Sequence, residues 1–418
     1  MTATLEVRFG AVVVGALRVD ESGRFCFAYE PAWCARDDRF PVSLTLPISS
    51  QEYVGGPAQT FFVNLLPEGG VRQTICARLG ISADNDFALL QAIGGECAGA
   101  LSLVDPARPS VDPDDFSYEG LQNKQLQELI ANDAIPLLIG GPKTRLSLAG
   151  AQDKLPVALL DGKLHLPLNA APSTHILKLP NPRYPHLPVN EAFALGLARQ
   201  LNFEVVHGEL FTGTDPPSLL VARYDRLPSE DHWPVRRIHQ EDLCQATGLP
   251  PTRKYEGEGG LSLAGAVTVI RNHVTRPIVD VPRVIRWQAF NIVLGNSDGH
   301  AKNLSILYSD AGVELAPIYD LVSTREYKRL DRKLAMRVGG RQNPDEIGRA
   351  EWIKLSEELQ IGQRVVLDWV RDVAQGSLDA LAGWSREFRG KYGEQSILQT
   401  LPAAITRRAR RVLRSLSA

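Results

Sequence analysis

The sequence predicts an α+β protein, with an α+β subdomain at its N-terminal end and a largely helical C-terminal part. Three observations carry this expectation. Short β-branched and aromatic runs separated by turn residues crowd the first part of the chain. Strand-like runs and single helices alternate through its middle. From about residue 345 onward, apolar residues recur at helical spacing. A length of 418 residues leaves room for two or three domains, and a hydrophobic fraction of 44% with 22% charged residues is ordinary for a soluble globular chain. The formal net charge of −2 gives no overall basic character that would draw the chain to nucleic acid. The five cysteines, Cys26, Cys34, Cys76, Cys97 and Cys244, contain no C-x-x-C pair, which points to reduced, mostly buried thiols. No apolar signal core opens the chain and no run of eighteen apolar residues interrupts it. The expectation is a cytoplasmic protein with no membrane partner.

In chain order, residues 5–31 read as strands broken at Asp20-Glu21-Ser22-Gly23, and Val42 to Pro47 alternates like another strand. Phe61 to Leu79 reads as helical, broken at Pro67 and Gly69, and Asp86 to Ile93 as a helix stopped by Gly94-Gly95. The Pro- and Asp-rich stretch 104–116 marks a boundary, so that 1–105 forms the N-terminal subdomain. After a helix around 119–132, Ala149-Gly150-Ala151-Gln152-Asp153-Lys154 lies between two strand-like runs. Small residues there would let backbone N–H groups approach phosphate oxygens, though a tight hairpin turn explains them equally simply. Lys178, inside an apolar strand, is either snorkelling at an edge or held inward by phosphates or a carboxylate. Glu191 opens the helix that follows, and reads either as the partner of Lys178 or as a charge favoured by the helix dipole.

Leu219 to Arg226 is a buried-looking strand ending in charges. Ile238 to Ala246 begins a helix, and its polar cluster is a cap or a site wall. Residues 254–260 read as a flexible loop. The helix at 280–295 is the best marked of all, with Asp280 as its cap, Pro282 in its first turn and Gly295 at its end. Val281, Ile285, Ala289, Ile292 and Val293 fall on one face of it. The helix delivers Asn296-Ser297-Asp298-Gly299-His300-Ala301-Lys302-Asn303, after which two strands joined at Ser309-Asp310-Ala311-Gly312 form a hairpin ending at Tyr319-Asp320. A hairpin brings Asn303 and Asp320 to the same open end. Trp352, Leu355, Ile361, Val365, Val366, Trp369 and Val370 are core candidates in the helical C-terminal part. The basic tail around Arg407 to Arg414 reads as a solvated helix end, with docking on nucleic acid as the lesser alternative.

An aspartate, an asparagine five residues on, and a strand-borne aspartate is the order in which protein kinases present their base and metal ligands. Phosphoryl transfer asks for Mg²⁺ on the triphosphate, a cation on the phosphates and a carboxylate for the attacking hydroxyl. Asn303 and Asp320 offer the metal ligands, Asp298 the carboxylate, and Lys178 with Lys154 the cations. Taken singly, Asp298-Gly299 is also a simple turn and Asp320 a helix cap. A metal-assisted hydrolase would use similar carboxylates, but leaves the upstream lysine strand and small-residue loop unexplained.

The chain resembles the HipA family of bacterial serine/threonine kinases, the toxins of HipA/HipB-type toxin–antitoxin pairs, over nearly its whole length. The resemblance rests on Leu44-Thr45-Leu46-Pro47, Phe61 to Pro67 and Ile93-Gly94-Gly95 in the N-terminal part. In the rest of the chain it rests on Ser147 to Lys154, His175 to Pro180, Gln240 to Gln245, Ser297 to Asn303 and Tyr319-Asp320. It implies a bilobal kinase-like fold, with a nucleotide-binding lobe at 119–225 and a helical lobe at 226–418. It implies Asp298 as proton acceptor, Asn303 and Asp320 as Mg²⁺ ligands, and Lys178 on the phosphates of ATP. Ala149, Gly150, Ala151, Gln152, Asp153 and Lys154 would form the phosphate-binding loop, and Ala222, Arg223 and Tyr224 the adenine hinge. His300, Ala301, Lys302 and Tyr319 would also lie at the nucleotide, and Ser147 would be the autophosphorylated serine that silences the kinase. The family's partners are a HipB-like helix-turn-helix antitoxin, operator DNA reached through that complex, and an aminoacyl-tRNA synthetase substrate, notably glutamyl-tRNA synthetase. Asn296-Ser297 before the base and Ala222 and Tyr224 in the hinge depart from the family's pattern, which leaves target choice and antitoxin contacts open. Two other readings keep much of this sequence: a catalytically silent co-repressor subunit, and a kinase of a non-protein substrate.

Overall fold

The computed structural model describes residues 3–107, 116–131, 154–228 and 235–417. Ser147 and the loop residues Ala149 to Asp153 lie outside the described residues.

The N-terminal part is built on β1 (Thr4–Phe9), β2 (Val12–Val19), β3 (Phe25–Tyr29), β4 (Tyr53–Val54) and β5 (Leu101–Val104), in the order β4-β3-β2-β1-β5. Alternation explains β1: Leu5 and Val7 are buried while Glu6 and Arg8 are half-buried on the other face. The β2–β3 turn is fixed by Asp20, whose carboxylate accepts from the N–H groups of Ser22 (3.0 Å) and Arg24 (2.9 Å). Helices α1 (Pro31–Cys34), α2 (Gly56–Val63), α3 (Gly69–Leu79) and α4 (Asp86–Ile93) accompany this sheet. The break read at Pro67 and Gly69 separates α2 from α3, and Asn85 caps α4 by accepting from Ala88 N at 3.0 Å.

The second sheet holds β6 (Ser117–Gly120), β7 (Lys154–Leu160), β8 (Lys163–Leu168), β9 (His175–Lys178), β10 (Gly208–Phe211) and β11 (Ser218–Ala222), ordered β10-β11-β9-β7-β8-β6. Helix α5 (Asn123–Ala131) follows β6, and α6 (Leu187–Gln200) follows β9. The apolar faces of β7 and β9 (Leu155, Val157, Leu177) pack into the same core as the N-terminal sheet. The short strands β12 (Arg226–Pro228) and β13 (Val235–Arg237) pair with each other, and β14 (His239–Asp242) with β15 (Ser305–Ser309) and β16 (Gly312–Leu315) forms a third sheet.

The C-terminal core is helical: α7 (Leu243–Thr247), α8 (Leu263–His273), α9 (Pro277–Leu294), α10 (Arg349–Leu359), α11 (Gln363–Tyr392) and α12 (Leu401–Ser417). Helix α9 sits at its centre, contacting α8, α11 and α12. Its C-terminal end is closed by Gly295 at φ 79° and by Arg408 of α12, which donates to the carbonyls of Val293 (3.0 Å) and Leu294 (2.6 Å). The helix end that launches the Asp298 loop is thereby pinned by a second helix.

Several expectations need correction. Residues 42–47 are a turn closed by Leu46 N on Ser43 O (3.0 Å), not a strand, because their partner is the buried Glu241 rather than a neighbouring strand. The stretch 119–132 begins as the end of β6, with the helix starting at Asn123. The helix placed at 280 starts at Pro277, whose missing N–H costs nothing at a first helical position; Asp280 lies in the first turn and Pro282 inside the helix. Residues 239–242 are a strand, and Asp242 caps α7 with Gln245 completing a capping box. The segment 254–260 is tied down, with Glu256 N on Ala335 O at 3.0 Å and Gly260 N on Tyr255 O at 3.0 Å. Val365 is exposed, and Arg408 is a cap rather than a solvated tail residue. The remaining core candidates of the C-terminal part are buried or packed against the core.

Candidate active site

Between the second sheet and the helical core lies a cleft of about 400 Å³. Its upper wall is built by register. Lys154 at the start of β7 lies directly across from Lys178 at the end of β9, so two lysines project from adjacent strands at one place. Of the two readings of Lys178, the edge placement does not hold: it is 5% exposed and held inward by carboxylates. Its ammonium donates to Glu191 of α6 at 2.6 Å and forms a second ion pair with Asp320. Glu191 sits beyond the first turn of α6, so its placement follows from Lys178 rather than from the helix dipole.

The lower wall comes from the end of α9 and the β15–β16 hairpin. Within the loop that follows Gly295, Asp298 alone is exposed while its neighbours from Asn296 to Asn303 are buried. Internal hydrogen bonds hold it there: Asn296 Nδ2 donates to Asn291 Oδ1 (3.0 Å), Asn296 Oδ1 accepts from Asp298 N (3.0 Å), and Ser297 N donates to Thr324 Oγ1 (2.8 Å). Gly299 is required by close approach, since a Cβ would stand 2.6 Å from Asn291 Nδ2. Asn303 Oδ1 accepts from His300 N at 3.0 Å, and its amide nitrogen lies 3.3 Å from Asp320 Oδ2. The open end of the hairpin thus brings amide and carboxylate together. Asp320 takes φ 54°, a left-handed conformation unusual for a residue with a side chain.

Electrostatics separate the two lysines. The surrounding protein disfavours charge on Asp320, but Lys178 and then Lys154 outweigh it and hold its carboxyl down at about 2. Burial would lower Lys178, yet Asp320 and Glu191 raise it above its ordinary value, so it is a permanent cation. Lys154 is lowered to about 8, chiefly by burial, with Asp320 opposing and Lys178 adding to the fall. Burial pushes Glu191 up against the pull of Lys178. Two hard oxygen donors, one ionised at any physiological pH, suit a Mg²⁺ ion that takes its other ligands from phosphates and water. Among the described residues no cluster of three His, Cys, Asp or Glu side chains could hold a metal unaided.

Not every residue predicted for the nucleotide presents its side chain to the cleft. Ala222 and Tyr224 border it, with Tyr224 stacked on Tyr319 at 5.7 Å between ring centres. Arg223 is different: its guanidinium is taken up by Glu96 (3.0 Å), Asp225 (2.7 Å) and Ser173 (2.9 Å), leaving its backbone to face the cleft. Lys302 is likewise engaged, by Asn64 Oδ1 (2.7 Å) and Asp242 (2.9 Å), so it acts as an internal cross-link. Ala301 is fully buried and does not border the cleft, and the His300 ring packs edge-on to Tyr255.

The comparisons with known proteins agree with this geometry. Residues 146–381 match the HipA-like C-terminal domain, and residues 5–104 match the HipA N-terminal domain. The chain belongs to the HipA family. It is 38% identical to the putative kinase Y4mE of Sinorhizobium fredii over 90% of this chain and 91% of the relative. It is 29% identical to the serine/threonine-protein kinase toxin HipA of Shewanella oneidensis over 91% of this chain and 89% of that one. The solved complex of Shewanella oneidensis HipA with HipB and operator DNA contains a chain that superposes with a TM-score of 0.85. That match covers 98% of this chain and 97% of the other at 27% identity. As a HipA-family member the chain is a serine/threonine-protein kinase with the family's kinase-like fold.

Sequence reasoning missed contributors that lie far in sequence from the predicted site residues. Asn64, Leu65, Glu68 and Ala98 border the cleft from the N-terminal part, and no local pattern marks them. Tyr255, whose hydroxyl donates to Asp298 Oδ1 at 2.6 Å, was hidden in a glycine-rich stretch read as a loop.

Proposed function

We propose that this kinase uses ATP and Mg²⁺ and acts as the toxin of a toxin–antitoxin pair. In this reading Asp298 accepts the proton of the attacking hydroxyl, and Asn303 and Asp320 hold the metal. Lys178 and Lys154 meet the phosphates, with the backbone at 149–153 completing their cradle and the segment Ala222 to Tyr224 meeting the base. The carrying observation is the convergence of Lys178, Glu191, Asp320, Asn303 and Asp298 on one cleft. In this reading a metal–nucleotide complex would separate the Lys178–Asp320 pair, since each would exchange its partner for phosphate or metal. The bound metal would neutralise charge on the transferred phosphoryl group. In the same reading 1–105 is an N-terminal subdomain, 119–225 the nucleotide lobe and 226–418 the helical lobe.

The acceptor in this proposal is an aminoacyl-tRNA synthetase of the glutamyl type, so that phosphorylation halts charging and growth and favours persistence. A HipB-like antitoxin would restrain the chain and carry it to operator DNA; the Shewanella oneidensis complex holds HipA, HipB and operator DNA together. Autophosphorylation at Ser147 would place about two negative charges beside the phosphate loop and so repel ATP. The test is incubation with γ-labelled ATP and Mg²⁺, followed by mapping of the label. Label at Ser147 that disappears in Asp298→Ala supports the reading, and absence of both label and nucleotide binding sinks it. Phosphoproteomics after brief expression decides the acceptor: label on one synthetase supports the toxin proposal, and label on no protein rejects it.

A further inference from the structure

Tyr255 lies 43 residues before Asp298 in sequence, yet its hydroxyl donates to Asp298 Oδ1 at 2.6 Å. Its position is built from several sides. The His300 ring packs against it edge-on at 5.2 Å and 79°, and the Lys254 ammonium stands 5.6 Å from its ring centre. Lys254 is itself held by Glu68 of the N-terminal part at 2.7 Å, and its carbonyl accepts from Ala301 N at 3.3 Å. On the other side the Tyr255 carbonyl accepts from Gly260 N (3.0 Å), where a Cβ on Gly260 would meet Arg253 O at 2.2 Å. Burial and the neighbouring carboxylate push the phenol above its ordinary value, so it remains a donor.

Asp298 borders the cleft and Tyr255 does not. The phenol therefore takes one carboxylate oxygen from outside the cleft and leaves Oδ2 for an acceptor hydroxyl. Among the described residues Asp298 is otherwise anchored only through its backbone, with Asp298 N on Asn296 and its carbonyl accepting from His300 N at 2.9 Å. An exposed carboxylate with free χ rotation spends part of its time pointing away from its substrate, and one charge-assisted hydrogen bond removes much of that freedom.

We propose that Tyr255 is a positioning residue for phosphoryl transfer: it fixes the side-chain rotamer of Asp298, and the Glu68–Lys254 pair fixes Tyr255. The proposal rests on the reading of Asp298 as the base. Tyr255→Phe keeps the ring against His300 and removes only the donor. Single-turnover phosphate incorporation from labelled ATP, into the chain itself and into casein as a generic acceptor, should slow by about ten- to a hundredfold. The KM for ATP and the affinity for a non-hydrolysable ATP analogue should stay within twofold. A wild-type rate in Tyr255→Phe overturns the proposal. So does a parallel loss of rate and nucleotide affinity, which would make Tyr255 a packing residue. Asp298→Asn, measured alongside, separates the two failures. If it remains active the base assignment itself falls; if it is inactive while Tyr255→Phe is unimpaired, only the role of Tyr255 is lost.

Discussion

Glu241 offers a stability test whose sign and size both follow from the structure. Its carboxyl is fully buried where the 42–47 turn meets the third sheet. It accepts from Ser43 Oγ (2.6 Å), Leu44 N (2.9 Å) and the Tyr308 hydroxyl (2.5 Å). Burial raises it to about 7 from 4.5, with the three donors opposing the rise. Between these values the folded state holds a proton that the unfolded chain has released. Stability from this group is therefore fully present below about pH 4.5 and lost as pH rises through 7. The difference between 4.5 and about 7, at about 1.36 kcal/mol for each tenfold change in proton affinity, amounts to about 3 kcal/mol. Glu241→Gln cannot titrate, so the comparison cancels every other group. Chemical unfolding of both proteins at several pH values from 4 to 8 should show the wild-type advantage shrinking by about 3 kcal/mol across that window. A difference that is flat, or that grows with pH, would refute the reasoning. Growth would mean that Ser43, Leu44 and Tyr308 keep the carboxylate ionised despite its burial.

Lys178→Met should lower phosphate incorporation at least a hundredfold, because the cation facing the phosphates is lost. It should also cost about 3 to 5 kcal/mol in unfolding experiments, because the buried Glu191 loses its partner; retained activity would contradict the assigned role. Gly299→Ala forces a Cβ to within 2.6 Å of Asn291 Nδ2, and Asn291 cannot swing aside without losing its bond from Asn296. A loss of about 1 to 3 kcal/mol is expected in the denaturant midpoint, with a slower rate as Asp298 shifts. Glu96→Gln leaves Arg223 and Arg226, which bind Glu96 at 3.0 and 2.5 Å, with Asp225 as their one remaining carboxylate among the described residues. About 3 to 5 kcal/mol should be lost. Burial alone would raise Glu96, but Arg223 and Arg226 lower it, so the stability it brings persists at neutral pH and is lost only as pH falls below the carboxylate range.

What could be read from sequence was whatever depends on near neighbours. The strands within residues 5–31, the hairpin that aligns Asn303 with Asp320, and the glycine stop of α9 are all local, and the structure contains each. Lys178 and Glu191 could be paired because a strand lysine and a helix glutamate thirteen residues apart are still one strand-to-helix step. Residues whose partners are remote in sequence were misread. Val42 to Pro47 alternates as a strand would, but its organising partner is nearly two hundred residues away at Glu241. Lys302 borders the cleft, but its ammonium is held by Asn64, which lies 238 residues away, and by Asp242. Arg408 lies in a charge run that resembles any solvated helix end, and only α9 shows what it caps. The start of α9 was displaced because two prolines, Pro277 and Pro282, both suit a first turn and only packing chooses between them.

These remote contacts share a geometry. Ser43 and Leu44 reach Glu241, beside the cap residue Asp242. Asn64 and Glu68 reach Lys302 and Lys254, on the two segments that flank Asp298. Glu96 reaches Arg223 and Arg226, on the segment that borders the upper wall. Each bridge runs from the N-terminal part to a different side of the cleft, and each puts a charged or hydrogen-bonding group where water is excluded. A buried charge without its partner is costly, so the three bridges cannot slide or be exchanged independently. Displacing the N-terminal part would leave Glu241, Lys302 and Arg223 under-bonded together, and would release Tyr255 through Lys254. On that account the N-terminal part is a structural half of the active site, because it sets the positions of the groups on which the cleft residues lean.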